Sequence, residues 1–219
     1  MADAADSLYI PSQHRVEDLA VMQSLMDEFA FASLITAGPD LRCTHLPILL
    51  DKEVGKYGRL VGHVAKNNPQ NQLLDGKHSA LIVFQGPHRY ISPAWYDPAK
   101  PAVPTWNFAV VHCSGKPQSF TDDARAAKLL ERLVGHFEAY DGDASVWSLS
   151  KLPDSYLKGM RGGIVPFEME IESIEGKFKL GQERTAKDRA GILAGLEKAK
   201  PERSLREYTA EHYRRLKLL

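Results

Sequence analysis

Cysteine is scarce: Cys43 and Cys113 are the only two in 219 residues. Two thiols cannot build a disulfide framework. Each lies in a segment with strand character, so a buried free thiol is expected at both positions. An excess of charge of one sign is also missing. Lys and Arg together number 28, and so do Asp and Glu, which gives a formal charge of zero with His neutral. That balance argues against a protein that coats nucleic acid or anionic membrane by bulk electrostatics, while leaving room for a local basic face. Long hydrophobic runs are lacking as well. A purely aliphatic and aromatic stretch such as residues 81–84 is far shorter than the ~20 residues of a membrane-spanning helix. Residues 1–6 are small and acidic, with neither a basic start nor an apolar run behind them; this is unlike a secretory leader. A cytoplasmic protein is expected.

Several catalytic signatures are absent too. The chain contains no Gly-x-Gly-x-x-Gly, no phosphate loop ending in Gly-Lys-Ser/Thr and no nucleophile elbow, which disfavours a dinucleotide fold, a P-loop enzyme and an α/β-hydrolase. The eight histidines include no pair at helical ligand spacing, and neither cysteine has a partner nearby; no metal site is expected. No catalytic residue is identifiable from these patterns.

What is present reads as an ordinary globular chain, 43% hydrophobic and 26% charged, with the length of one large domain. Val16, Leu19, Met22, Leu25, Met26 and Phe29 recur at helical spacing after Ser12. Residues 31–36, 44–50 and 60–65 read as three strands of a meander. A short helix is expected over 69–74, opened by Pro69. Strands over 80–84 and 89–92 flank a Gly86-Pro87 turn, and a connection rich in proline (Pro93, Pro98, Pro101, Pro104) follows. Residues 105–114 form a long strand, and Thr121-Asp122-Asp123 caps a helix that reaches about Phe137. Residues 138–163 are irregular with short helical pieces. Over 164–174, Phe167, Met169 and Ile171 alternate with Glu168, Glu170 and Glu172 as one strand with a buried and a wet face. Beyond 186 the pattern is two helices broken at Pro201. From residue 187 onward nine Lys and Arg stand against five Asp and Glu, so this tail is about four charges positive. The expected architecture is mainly β with peripheral helices: a closed antiparallel barrel over 1–185, with 186–219 a helical extension of the same domain.

Three clusters carry chemistry. In Gly62-His63-Val64-Ala65-Lys66-Asn67-Asn68-Pro69 a strand ends, polar donors follow and a helix begins. This junction is either a phosphate pocket or a capped helix with a solvated lysine. Tyr90-Ile91-Ser92-Pro93-Ala94-Trp95-Tyr96 and Val103-Pro104-Thr105-Trp106-Asn107-Phe108 put large aromatics around the proline loop, where they wall a flat ring or a subunit interface, or pack the loop onto the barrel. In Glu175-Gly176-Lys177-Phe178-Lys179-Leu180, Lys177 and Lys179 share one face of a strand, either for a ligand or for solvent.

Together with Leu8-Tyr9-Ile10-Pro11 and His45-Leu46-Pro47, these motifs resemble the PaiB family of FMN-binding-type transcriptional regulators, over roughly residues 8–200. The resemblance implies an FMN-binding split β-barrel of the kind found in pyridoxamine phosphate oxidases and flavin reductases, a homodimer with flavin in clefts at the subunit interface, and negative regulation of transcription. Carried over by motif, His63, Lys66 and Asn68, with the intervening Val64 and Ala65, belong to the phosphate side. The strand edge at His45 and Leu46 belongs to the isoalloxazine side, and Trp106 and Asn107 close the cleft from the partner subunit. One departure is Gly181-Gln182-Glu183, where the family pattern looks like Ser-Gln-Asn.

Two other functions compete. A flavin-dependent reductase or oxidase of a small molecule is suggested by analogy of fold, with His63 or His45 as acid–base group. Haem binding through a histidine in the same fold is the other. DNA contact would run through the basic last helix with Arg203, Arg206, Arg214, Arg215 and Lys217; that charge run reads equally as a solvated or dimer-packing face.

Overall fold

The structure, a computed structural model, describes residues 7–99, 101–140, 147–199 and 205–216. The chain forms two compact units. One comprises the residues up to Arg89 together with Asn107–Leu180; the other comprises Tyr90–Trp106 and the residues from Gly181 onward.

The first unit is built from two antiparallel sheets. In chain order its elements are β1 (Arg15–Val16), α1 (Leu19–Glu28), β2 (Phe31–Ala37), β3 (Leu41–Pro47), β4 (Leu49–Asp51), β5 (Arg59–Ala65), β6 (Ala80–Ile91), β7 (Thr105–Gly115), β8 (Gln118–Ser119), α2 (Asp123–Tyr140), α3 (Asp154–Arg161), β9 (Ile164–Glu170) and β10 (Ser173–Lys179). The six-stranded sheet has the order β1-β10-β7-β6-β2-β3, and the four-stranded sheet the order β4-β5-β9-β8. Side chains of alternating strand positions fill the space between the sheets. Leu34, Ile82, Phe84 and Val111 come from the larger sheet, Leu60, Phe167 and Met169 from the smaller, and Met22 and Met26 from α1. This is a split β-barrel with peripheral helices.

Four local expectations are corrected. The first helix begins at Leu19, not near Ser12. Asp18 caps it by accepting hydrogen bonds from the Ala20 and Val21 amides, while Ser12 opens only a single 3-10 turn that ends at His14. Val16 is therefore left to pair with Gly176 in the sheet. The meander is broken at Ile48. β3 pairs with β2, whereas β4 pairs with β5 in the other sheet, because a closed barrel requires strands that change sheets. The segment 164–174 changes sheets in the same way, between β9 and β10. Gly86-Pro87 is not a turn but the middle of β6. The β2 register on β6 ends at Val83, so Pro87, with no N–H to donate, lies beyond that ladder. The buried Gly86 lets β6 lie close to β7: a Cβ there would sit 3.2 Å from the Ala109 carbonyl oxygen.

The thiols also diverge. Cys113 is fully buried, and burial pushes its thiol well above the ordinary range. Cys43 is exposed, against expectation, because it sits on the outer face of β3.

The second unit packs the proline-rich loop against α4 (Ala186–Lys198), with Ile91, Tyr96 and Ile192 at its centre. Gly191 and Gly195, one turn apart, form the seat. A Cβ on the first would lie 2.0 Å from the Trp95 carbonyl oxygen, and on the second 2.2 Å from the indole. Thr185 caps the helix at the Asp188 amide, while Asp188 accepts from the Asp97 amide and Lys187 pairs with Asp97 at 3.0 Å. The aromatic residues Trp95 and Tyr96 of the loop are thus partners of α4. The last helix, α5 (Leu205–Arg215), exposes Arg206 and Arg214; Arg203 and Lys217 lie outside the described residues.

Candidate functional site: the end of strand β5

The sequence-predicted junction is where β3 and β5 meet. Gly62 permits the approach. A Cβ at this position would come within 2.8 Å of Ile48 Cδ1 and 3.3 Å of the Pro47 carbonyl oxygen, so any larger residue would push the two strands apart. Along β5, Leu60 and Val64 enter the barrel core, while Val61 packs on the opposite side against Leu129 and Leu133 of α2. Alternation therefore puts Arg59, Val61, His63 and Ala65 on the outer face.

His63 is half-buried there. Its Nδ1 is inaccessible and has no hydrogen-bond partner. Burial holds its pKa below the ordinary value, so at neutral pH the ring is uncharged and one nitrogen keeps a proton to donate. Ala65, Lys66 and Asn67, immediately beyond, are exposed.

The turn that follows is held rigidly. Asn68 Oδ1 accepts from the Gln70 amide, and Asn68 Nδ2 donates to Thr44 Oγ1 at 2.8 Å. Gln70 is 1% exposed. It donates to the Leu34 carbonyl and to Thr36 Oγ1, both at 3.1 Å, and accepts from Thr44 Oγ1. The Lys66 amide donates to the Gly163 carbonyl. This network ties the Lys66 turn to β2 and β3. Sequence reasoning gave no role to Gln70, in the short helix expected over 69–74, or to Thr44, in the strand expected over 44–50; a glutamine on the buried side of a short helix was the available signal.

The remaining predicted residues divide by strand face. Leu46 and Val64 are 4% and 2% exposed and belong to the core, so only their backbone can meet a ligand. The exposed His45 has Nδ1 hydrogen-bonded to Ser33 Oγ at 2.9 Å, and its ring lies 6.5 Å from that of Phe31. Asn107 is buried on β7. With β6 and β2 between it and β3, it lies roughly 14 Å from that strand by sheet spacing. Trp106 belongs to the second unit, half exposed and edge-on to Tyr90 at 6.4 Å. Within one chain, His45, Leu46, His63, Val64, Ala65, Lys66 and Asn68 thus share the β3–β5 region, and Asn107 does not.

Lys177 is neither free for a ligand nor simply solvated. Its Nζ donates to the Tyr9 carbonyl at 2.8 Å and lies 5.4 Å from the rings of Tyr9 and Phe108. Nearby, Ser7 donates to Glu175 Oε2 at 2.6 Å and is hydrogen-bonded to His112 Nδ1. The N-terminal segment is strapped to β10 by these contacts.

The donor set at the end of β5 fits a phosphate monoester. It offers the half-buried, neutral imidazole of His63, an exposed ammonium group and a turn fixed by its own hydrogen bonds. β3 ends the order of the six-stranded sheet, so it has one backbone edge outside that ladder, suited to the polar rim of a flat heterocycle. No helix among the described residues is long and apolar enough to cross a membrane.

The model of a family described as "Putative FMN-binding domain" matches residues 8–173. "Protease synthase and sporulation protein PAI 2" of Bacillus subtilis is 32% identical over 192 residues, covering 87% of this chain and 89% of that protein. An uncharacterized protein of Emericella nidulans is 28% identical over 87% of this chain and 90% of its own length. Among solved structures, the flavocytochrome Anf3 from Azotobacter vinelandii superposes with a TM-score of 0.61 at 13% identity, over 85% of this chain and 80% of that one. The FAD and heme binding protein from Mycobacterium smegmatis gives 0.55 at 15% identity, over 83% and 80%. At such identities the likeness is one of fold.

Proposed function

The chain belongs to the PaiB-type FMN-binding-domain family, and from that premise we propose that it is a homodimeric FMN-binding protein acting in the negative regulation of transcription. The observation that carries the flavin reading is the half-buried, neutral His63 ring at the end of β5, three residues before exposed Lys66 on a rigid turn. His63 and Lys66 take the phosphate, and Asn68 holds the turn. The Val64–Ala65 backbone and the β3 edge at His45 and Leu46 border the ring. FMN, when bound, supplies the redox chemistry; the chain binds and orients it.

Dimerisation rests on the outer face of the six-stranded sheet. There Phe31 is 68% and Leu41 77% exposed, and Ile35, Leu81 and Val83 are half-buried. An apolar sheet face of this kind is an interface signature. Asn107 is remote from β3 in its own chain, so half-exposed Trp106 and the backbone at Asn107 act on the cleft of the partner. The regulatory reading draws support from the relative's name, which concerns protease synthesis and sporulation. Any DNA contact uses α5 through Arg206 and Arg214. A cytoplasmic setting accords with two unbridged cysteines.

The test is a titration of the purified protein with FMN, followed by flavin fluorescence and the visible spectrum, with sedimentation of the same sample. Quenching at one FMN per chain in a dimer is expected. A haem spectrum, or an unchanged flavin signal in a folded sample, overturns the reading.

A further inference from the structure

A second cation-rich site lies at the other end of the same strand. A cleft of about 230 Å³ opens between α2 and the four-stranded sheet. Its floor is Val61 and Leu129, 5% and 4% exposed, and one wall is the Phe120 ring. Arg59 enters from β5, while Arg125, Lys128 and Arg132 come from α2. The three helix residues are spaced i, i+3 and i+7, so they form one stripe. Leu129 and Leu133, buried against Leu49 and Val61, fix that stripe over the cleft.

Two carboxylates brace the cations without neutralising them. Arg59 gives Nε and Nη2 to Asp51 and pairs through Nη1 with Glu168 at 3.0 Å. Arg125 reaches Glu168 with Nη2 at 2.7 Å, its guanidinium 4.2 Å from the centre of the Phe120 ring. Arg132 pairs with Asp51 through Nη2. Each guanidinium has five N–H donors, so Arg125 and Arg132 keep Nε and Nη1 for a ligand. Lys128 pairs with no carboxylate among the described residues. Four cations face two carboxylates, leaving two positive charges in surplus over an apolar floor. Like charges three and four residues apart on a helix repel, and a dianion relieves that repulsion.

We propose that this cleft binds a compact organic phosphate monoester, its phosphate held by Arg125, Lys128 and Arg132 and its apolar part resting on Val61, Leu129 and Phe120. The volume is below the ~300–1,000 Å³ of pockets for drug-sized ligands, which sets the size class. Arg59 opens β5 and Lys66 follows its end, so the two cation sites are roughly 20 Å apart along the strand. This inference does not depend on flavin binding.

The experiment titrates the Lys66→Ala protein with phenyl phosphate, methyl phosphate and inorganic phosphate by calorimetry at constant ionic strength. That background removes the candidate flavin-phosphate cation. One phenyl phosphate per chain is expected, bound more tightly than methyl phosphate because of the apolar floor. Lys128→Glu should weaken it by about tenfold or more, as loss of a charge-assisted contact does, and Lys128→Glu with Arg125→Gln should abolish it. Both positions are exposed, and a thermal melt of each variant verifies folding. The proposal is overturned if phenyl phosphate does not bind, if Lys128→Glu binds it as tightly as its parent, or if sulfate competes at equal concentration, which would mark an adventitious ion only.

Discussion

The two ends of β5 solve the handling of positive charge in opposite ways. At the Arg59 end the guanidinium is locked by Asp51 and Glu168, and Arg125 and Arg132 lean on the same two carboxylates. At the Lys66 end the scaffold is uncharged. Asn68, Gln70 and Thr44 hold the turn with amide and hydroxyl groups, and His63 is kept neutral by burial. The first end is braced by ion pairs, the second by a buried hydrogen-bond network. A buried network has more to lose when one member is removed, because the orphaned partners stay dry.

Cutting each brace in turn breaks or sharpens this contrast. Gln70→Ala should have the largest effect. It leaves the Leu34 carbonyl and the Thr36 and Thr44 hydroxyls short of a partner, for a loss of about 3 kcal/mol in urea unfolding, with FMN affinity falling alongside. Arg59→Met should cost about 1 kcal/mol, since Asp51 and Glu168 each retain a second arginine and the pairs are partly exposed. If Arg59→Met proves more damaging than Gln70→Ala, the contrast is wrong.

The ends should also titrate in different pH windows. His63 has a folded pKa lowered by burial, so the unfolded chain takes up its proton first. Stability from this residue is intact above about pH 6.5 and is lost as pH falls from there through the folded value. Burial alone would raise Asp51, but its hydrogen bonds to Arg59 and Arg132 and their charges outweigh that and hold it below the ordinary carboxylate value. Its contribution is present above about pH 3.8 and is lost only below that. Urea midpoints over pH 3–8 should therefore flatten below pH 6.5 in His63→Gln and below pH 4 in Asp51→Asn. The flattening in His63→Gln is partial, because His112 is also lowered by burial, against the opposing charge of Glu175. Lys128→Ala, exposed and without a carboxylate partner among the described residues, should move stability by less than about 0.5 kcal/mol.

Much of this was legible in the sequence where a local rule governs. The helix from the Thr121-Asp122-Asp123 cap to about Phe137, the Phe167–Met169–Ile171 alternation and the polar junction after β5 all correspond to observed elements. What escaped is set by distance in space. Nothing near Ile48 or Ile171 signals that the chain leaves one sheet for another, because closure of the barrel decides it. The strand through Gly86-Pro87 overrides turn chemistry since the β2 register stops short of it. The seat of Trp95 on Gly191 and Gly195 joins segments about a hundred residues apart. The cleft lined by Arg125, Lys128 and Arg132 needed β5 and β9 beneath the helix before its charge surplus had a place to act. Gln70 was visible as a letter, but its role depended on Thr36 and Thr44 arriving from other strands.

The central claim is that Lys66 and His63 hold the phosphate of FMN. Paired titrations with FMN and riboflavin, on the parent and on Lys66→Ala, test it directly, since the two ligands differ only in that phosphate. A preference for FMN of about tenfold or more in the parent, collapsing in Lys66→Ala while riboflavin binding stays unchanged, is the predicted result. Equal affinity for both flavins in the parent, or an FMN preference that survives in Lys66→Ala, would contradict it.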